Sequence, residues 1–160
     1  MTYKKLSGLL WAAGLLALLC GGLMMAVYLC GTLSLLRLDY TDTEKGVACV
    51  LAVFGCLISG LYLYSFVQYF RITRRIGCRT PFCNENAQGL RQIFLCFMSA
   101  AGLWLLSAVL CFWPGLAVGP MWFSLPLCAL GTLALGVLAY ALSRLIRQAI
   151  VLQEENRLTV

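Results

Sequence analysis

Three long stretches of this chain contain no Asp, Glu, Lys or Arg. They cover residues 6–36, 46–70 and 92–143. A soluble domain of 160 residues cannot bury so much apolar surface, and the remainder would form aggregating patches. The whole chain is 62% hydrophobic and 11% charged, whereas soluble domains average about 45–50% and about 25%. The sequence therefore predicts an all-α integral membrane protein.

The uncharged stretches predict four membrane-spanning helices. About 20 apolar residues cross the hydrocarbon core of a bilayer, so the first two stretches supply one span each. The first stretch exceeds the roughly 7–15 apolar residues of a signal peptide, so we expect it to remain uncleaved. The third stretch is interrupted by WPGLAVGP at residues 113–120, where Pro and Gly form a turn. We expect one membrane domain over residues 1–160, a four-transmembrane-helix bundle with spans at about 9–32, 47–70, 93–113 and 121–143.

Lys and Arg are distributed unevenly between the two sides that these spans define. The side of the N-terminus holds ten of them, and the other side holds only Arg37 and Lys45. Cytoplasmic segments carry such an excess, so both termini are expected in the cytoplasm, and the basic residues imply no direct nucleic-acid binding. The spans then form two helical hairpins. The hairpins are joined by a cytoplasmic segment, the elbow (residues 71–92), and followed by a cytoplasmic tail (residues 144–160).

Small side chains recur every four residues in three of the spans. Such rows let helix backbones approach closely in lipid. We expect them to mark the faces that pack inside the bundle, although the same spacing also suits a homodimer. The rows are Ala13, Ala17 and Gly21; Ala48, Ala52, Cys56 and Gly60; and Cys128, Thr132 and Gly136.

The spans lack the side chains that most intramembrane chemistry requires. The chain has no His, and no charged residue lies inside a span, which argues against proton relays and ion-coupled transport. No Cys-x-x-Cys pair is present to start a zinc or redox site. We therefore expect no enzymatic activity, catalytic residue, metal or cofactor. Whether Cys30 and Cys49 form a disulfide is left open.

The elbow has the pattern of a helix end followed by a helix start. Arginines carry the second helix out of the membrane, and Gly77 is typical of a helix C-terminus. A new helix is expected to begin near Cys83 or Asn84. Glu85 would then lie in its first turn, where the helix dipole favours an acidic side chain.

Two segments of the chain resemble a known family. RRIGCRTPFCNENAQGLRQI (residues 74–93) and LQEENRLTV (residues 152–160) are similar to the conserved motifs of DUF2975, a family of small bacterial four-span membrane proteins. The family pattern has Thr-Pro where this chain has Cys83 and Asn84, and Asp where it has Arg157. The resemblance implies a multi-pass protein of the bacterial cytoplasmic (inner) membrane without catalytic activity.

The resemblance also implies a partner. Genes of the family often neighbour one for a short Cro/CI-like helix-turn-helix regulator, an association that gives a hypothesis and no mechanism. A soluble partner reaches only the elbow and the tail. The residues expected to bind it are Arg74, Arg75, Glu85, Asn86, Arg91, Glu154, Glu155 and Asn156.

The tail keeps an apolar pattern beyond Arg144. One apolar stripe is expected there, which must meet a partner, the elbow or the membrane surface. Its residues are Leu145, Ala149 and Leu152, with Ile146 and Ile150 beside them.

An alternative function is that of a small transporter or immunity-type protein acting on an apolar or amphiphilic compound in the bilayer. This function needs a cavity between the spans. The residues expected to line it are Tyr62, Ser65, Trp104 and Ser107.

Overall fold

The computed structural model describes residues 3–37, 42–77, 83–112 and 121–158, and nearly all of them are helical. The helices are α1 (Tyr3–Arg37), α2 (Asp42–Gly77), α3 (Asn84–Phe112) and α4 (Met121–Leu158). By length and composition all four can cross a membrane, over Gly8–Leu33, Lys45–Ile76, Asn84–Phe112 and Phe123–Gln153. The prediction of four apolar helices is confirmed, and the described ranges contain no strand. The turn at residues 113–120 and residues 78–82 of the elbow lie outside the described residues.

The helix boundaries at the elbow agree with those predicted from the sequence. α2 ends at Gly77 and α3 begins at Asn84. The backbone carbonyl of Cys83 accepts hydrogen bonds from the amides of Asn86 (3.1 Å) and Ala87 (3.4 Å). Cys83 therefore occupies the N-cap position, where the carbonyl already accepts the first bonds of the helix.

The helices pack in the order of the chain, α1 on α2, α2 on α3 and α3 on α4. Within the described ranges, α1 makes no close backbone contact with α3 or α4. Side chains nevertheless join all four helices at the centre. The buried cluster there includes Met25 of α1, Leu51 and Ile58 of α2, Trp104 of α3 and Leu125 of α4. The bundle is therefore open along one side, between α1 and α4.

The packed faces agree only in part with the rows of small residues. On α4, Thr132 and Gly136 are buried as expected. On α2, the row starts buried at Ala48 and ends exposed at Gly60, and on α1 it starts exposed at Ala13. Four residues rotate about 40° beyond one full turn of an α-helix, so a strict four-residue row leaves the packed face within a few steps.

α1 is fixed on α2 by a tyrosine that crosses from one helix to the other. The hydroxyl of Tyr28 on α1 donates a hydrogen bond of 3.1 Å to the backbone carbonyl of Leu51 on α2. The Tyr28 ring lies against Gly55, where an added Cβ would stand 2.7 Å from the ring carbon Cε1. Gly55 is therefore the residue that lets the ring approach the α2 backbone.

The same arrangement occurs in the reverse direction near the elbow. The hydroxyl of Tyr69 on α2 donates a hydrogen bond of 2.9 Å to the carbonyl of Leu10 on α1. The ring lies against Gly14, where an added Cβ would stand 2.5 Å from Cε1. In both cases the glycine follows the acceptor by four residues, one helical turn away. The two contacts fix the register of α1 and α2 as an antiparallel pair.

Candidate functional site

At the elbow, α2 and α3 are joined by two groups of polar side chains. The Gln68 amide nitrogen donates to Gln92 Oε1 at 2.7 Å, and the Tyr64 hydroxyl donates to the same oxygen at 3.2 Å. Two turns further along, the Arg75 guanidinium lies 2.7 Å from the Glu85 carboxylate. An exposed ion pair of this kind contributes only about 0–1 kcal/mol to stability.

α4 is joined to the first turn of α3 by one buried hydrogen bond. The Ser143 hydroxyl donates to the backbone carbonyl of Ala87 at 2.7 Å. Nearby, the Phe94 and Tyr140 rings lie 5.0 Å apart between centroids. The tail, which begins at residue 144, therefore starts alongside the elbow portion of α3.

A cavity of 680 Å³ lies between these elements and is called here the arginine groove. Side chains of α4 from Tyr140 to Glu155 form most of its lining, and Arg91 of α3 completes it. Its charged side chains are Arg91, Arg144, Arg147 and Glu155. Three guanidinium groups against one carboxylate give the groove a net positive charge.

Five of the predicted partner-binding residues lie on the surface of the elbow and the tail. Arg75 and Glu85 bind each other, and Arg74 is exposed beside them. Arg91 and Glu155 both line the arginine groove. One residue of the elbow and one of the tail therefore line the same groove.

Asn86 does not lie on that surface. It has a relative exposure of 0%, so the prediction that it offers a surface to a partner is corrected. Asn86 belongs to the face of α3 that packs inward and continues through Gly89 and Ile93, which are also buried. The side chains of Glu154 and Asn156 lie outside the described residues.

The apolar residues of the tail occupy two faces of α4 and do not form the single stripe expected from the sequence. Ile146 and Ile150 are half-buried on the side of the bundle. Leu145 and Leu152 are 59% and 60% exposed. Seven residues make nearly two helical turns, so Leu145 and Leu152 lie on one exposed face, and Leu152 also lines the edge of the arginine groove.

A chain of hydrogen bonds joins α3, α2 and α4 within the spans. The Trp104 indole N–H donates to the Tyr62 hydroxyl at 3.1 Å. The Tyr62 and Thr132 hydroxyls are 2.7 Å apart, and Thr132 donates to the Cys128 carbonyl at 2.7 Å. Tyr62 is therefore the donor to Thr132. Each donor in this series has an acceptor, which an apolar environment demands.

A second cavity, of 520 Å³, lies at the same level and is called here the lateral groove. It is lined by residues of all four helices, mostly apolar, on the side where α1 and α4 are apart. Tyr62 and Trp104 line it, as predicted. Ser65 and Ser107 are buried instead and donate to Leu61 and Leu103 carbonyls of their own helices.

The thiols and acidic side chains form no metal site in the part of the chain that the structure describes, where no three His, Cys, Asp or Glu come together. Cys49 is a free thiol, so Cys30 and Cys49 form no disulfide in this structure. Cys56, Cys96 and Cys128 are also free.

The four apolar helices and the start of α3 directly after Cys83 agree with the layout predicted from the sequence. The family description "Protein of unknown function (DUF2975)" matches residues 1–160. The chain belongs to the DUF2975 family. No curated protein and no solved structure matches it.

In this DUF2975 protein, the most informative site residues were not singled out by sequence reasoning. The hydrogen bonds of Ser143 and Gln68 depend on which residue of α3 lies opposite each of them. A sequence pattern within one helix does not show how two helices are aligned. The arginine groove had a usable signal. Arg91 and Arg144 flank the longest uncharged stretch, so two antiparallel spans bring them to the same boundary.

Proposed function

We propose that this DUF2975 protein is a non-enzymatic partner of a soluble helix-turn-helix regulator at the bacterial cytoplasmic membrane. In this proposal α1 with α2 and α3 with α4 form two hairpins, and both termini are cytoplasmic. This orientation is supported by the distribution of Lys and Arg, with ten on the side of the N-terminus and two on the other side. The elbow and the tail then face the cytoplasm, where the regulator binds.

The observation that carries the proposal is the exposed apolar face of the tail helix. Leu152 lies eight residues beyond Arg144, or about 12 Å further along the helix axis. In this proposal Arg144 marks the edge of the hydrocarbon, so that distance takes the 60% exposed Leu152 side chain out of it. Burial of such a water-exposed side chain against a protein partner is favourable. Full burial of a Leu side chain contributes about 1.5–3 kcal/mol of free energy.

The elbow supplies the polar rim of the same binding region. Arg74 and Arg91 are exposed, and Glu155 stands at the outer end of the arginine groove. Exposed charges steer association and fix orientation more than they add affinity. We therefore assign the binding energy to the apolar face of the tail and the specificity to the charged side chains.

The test compares two neighbouring tail variants of the full-length protein in native membranes. Leu152→Asp places a charge on the exposed apolar face, whereas Gln153→Asp places the same charge on an adjacent exposed position. We expect Leu152→Asp to abolish capture of a helix-turn-helix protein, identified by mass spectrometry, and Gln153→Asp to retain it. The proposal is contradicted if both variants capture equal amounts of the helix-turn-helix protein. It is also contradicted if neither the variants nor the wild type capture one.

The lateral groove favours a second candidate, binding of an apolar or amphiphilic compound by a small transporter or immunity-type protein. The cavity of 520 Å³ has the size of a small-ligand site and opens where α1 and α4 separate. Gly131→Leu would place an aliphatic side chain into the lining, since no atom lies within 4 Å of an added Cβ there. If the groove binds such a compound, this variant loses it, while Gly102→Leu, equally open on α3 and outside the lining, retains it.

A further inference from the structure

The arginine groove lies where the chain changes from apolar to charged. Arg91 is the last charged residue before the stretch of residues 92–143, and Arg144 is the first after it. Because α3 and α4 pack along each other, both guanidinium groups reach the same boundary of the apolar layer. In a bilayer this is the level of the lipid headgroups.

The guanidinium groups of the groove are available to an anion. No salt bridge joins Arg91, Arg144 or Arg147 to another described side chain. The Arg144 Nε donates to the Tyr140 hydroxyl at 3.2 Å, and the guanidinium carbon lies 5.6 Å from the centre of that ring. This contact orients the guanidinium and leaves its two terminal nitrogens as donors. Arginine binds phosphate oxygens through such paired donors.

Apolar side chains continue from the groove into the membrane layer. On α3, Leu95 and Met98 follow Arg91 at spacings of four and seven residues and are exposed. On α4, Val137 and Leu133 precede Arg144 by seven and eleven residues and are also exposed. These spacings keep side chains on one face of a helix. A ligand of the groove therefore has a charged head and an aliphatic portion.

We propose that the arginine groove binds the phosphate headgroup of an anionic phospholipid, whose acyl chains lie along the exposed aliphatic residues of α3 and α4. The excess of three arginines over Glu155 favours a lipid with net negative charge over a zwitterionic one. The bound lipid joins the elbow to the tail through Arg91 on one side and Arg144 with Arg147 on the other. This proposal does not depend on the regulator.

The test measures lipid binding by the purified full-length protein in detergent, by native mass spectrometry and by thermal unfolding. The groove variant is Arg144→Gln with Arg147→Gln. The control is Lys45→Gln with Arg71→Gln, which removes the same charge from positions of α2 outside the groove. We expect the groove variant to bind phosphatidylglycerol at least about tenfold more weakly than the wild type, and the control to change binding less than about twofold.

Three outcomes would overturn the proposal. The first is an equal loss of phosphatidylglycerol in the two variants, which would mean general charge attraction. The second is equal binding of phosphatidylglycerol and phosphatidylcholine by the wild type. The third is a thermal stabilisation by inorganic phosphate alone that equals the one produced by the lipid, which would indicate a free-anion site. If the double variant fails to fold, the single change Arg147→Gln at an exposed position gives the same comparison against Arg71→Gln, also at an exposed position.

Discussion

The hydroxyl of Ser143 donates a hydrogen bond of 2.7 Å to the backbone carbonyl of Ala87, and both residues are buried. This bond is the point at which α4, just before it becomes the tail, is fixed to the first turn of α3. Because Ala87 lies in the elbow, the position of the tail relative to the elbow depends on it.

We expect Ser143→Ala to loosen the tail without unfolding the bundle. A hydrogen bond between helices in membrane proteins contributes about 0.6 kcal/mol on average, with about 1.7 kcal/mol as an upper value. Hydrogen exchange of the amides at residues 144–150 should therefore become severalfold faster. Ser99→Ala is the matched control, because Ser99 is exposed and donates to Leu95 of its own helix. Unchanged exchange in the Ser143 variant would assign the position of the tail to apolar packing alone.

The approach of α1 to α2 should depend on Gly55. In Gly55→Leu the new Cβ would meet the Tyr28 ring at 2.7 Å, so the ring must move and its hydrogen bond to Leu51 is lost. We expect a loss of about 1–3 kcal/mol in the free energy of unfolding, measured in detergent. Gly60→Leu on the same helix has open space around the new side chain and should be neutral or stabilising. A similar loss in both variants would mean that the ring contact does not determine the packing.

The hydrogen bonds of Tyr62 should couple α2 to α3 and α4. Tyr62→Phe removes the acceptor of the Trp104 indole and the donor to Thr132. A double-mutant cycle with Thr132→Val should give a coupling energy of about 0.6–1.7 kcal/mol in thermal or denaturant unfolding. Additive effects of the two substitutions would show that the two hydroxyls do not interact in the folded protein.

The orientation predicted from Lys and Arg can be measured with reporter fusions. A fusion after Lys45 should report the outside of the membrane, and fusions after Gly77 and Val160 should report the cytoplasm, since ten of the twelve basic residues lie on that side. The double substitution Lys4→Gln and Lys5→Gln leaves eight basic residues on the cytoplasmic side against two on the other. The orientation should therefore persist. A Val160 fusion that reports the outside would contradict the prediction that the elbow and the tail are cytoplasmic.

Local chemistry made the helices and the elbow predictable. Residues 92–143 lack charge but contain the Pro- and Gly-rich segment 113–120, and this sequence pattern alone indicates two spans. The end of α2 at Gly77 follows from the preference of Gly for helix C-termini, and the start of α3 at Asn84 agrees with an acidic Glu85 in its first turn, since both preferences act within one helical turn.

Packing was predictable only where it depends on local spacing. The burial of Asn86 and the separation of Leu152 from Ile150 depend on the rotation of a helix about its axis, which four-residue rows describe poorly. The Ser143 bond and the arginine groove depend on the register of α3 against α4. That register results from side-chain packing along the whole pair, such as Gly136 against Phe97, and no single residue indicates it.

The account centres on the tail as the docking element of the protein, and photo-crosslinking in intact cells tests this most directly. A photoreactive phenylalanine derivative replaces Leu152 in the full-length protein, and in a matched variant it replaces Leu130, an exposed residue of the same helix within the apolar span. The account predicts an adduct with a helix-turn-helix protein from position 152 and none from position 130. An adduct pattern that is the same at both positions, or the absence of such a protein from position 152, would contradict it.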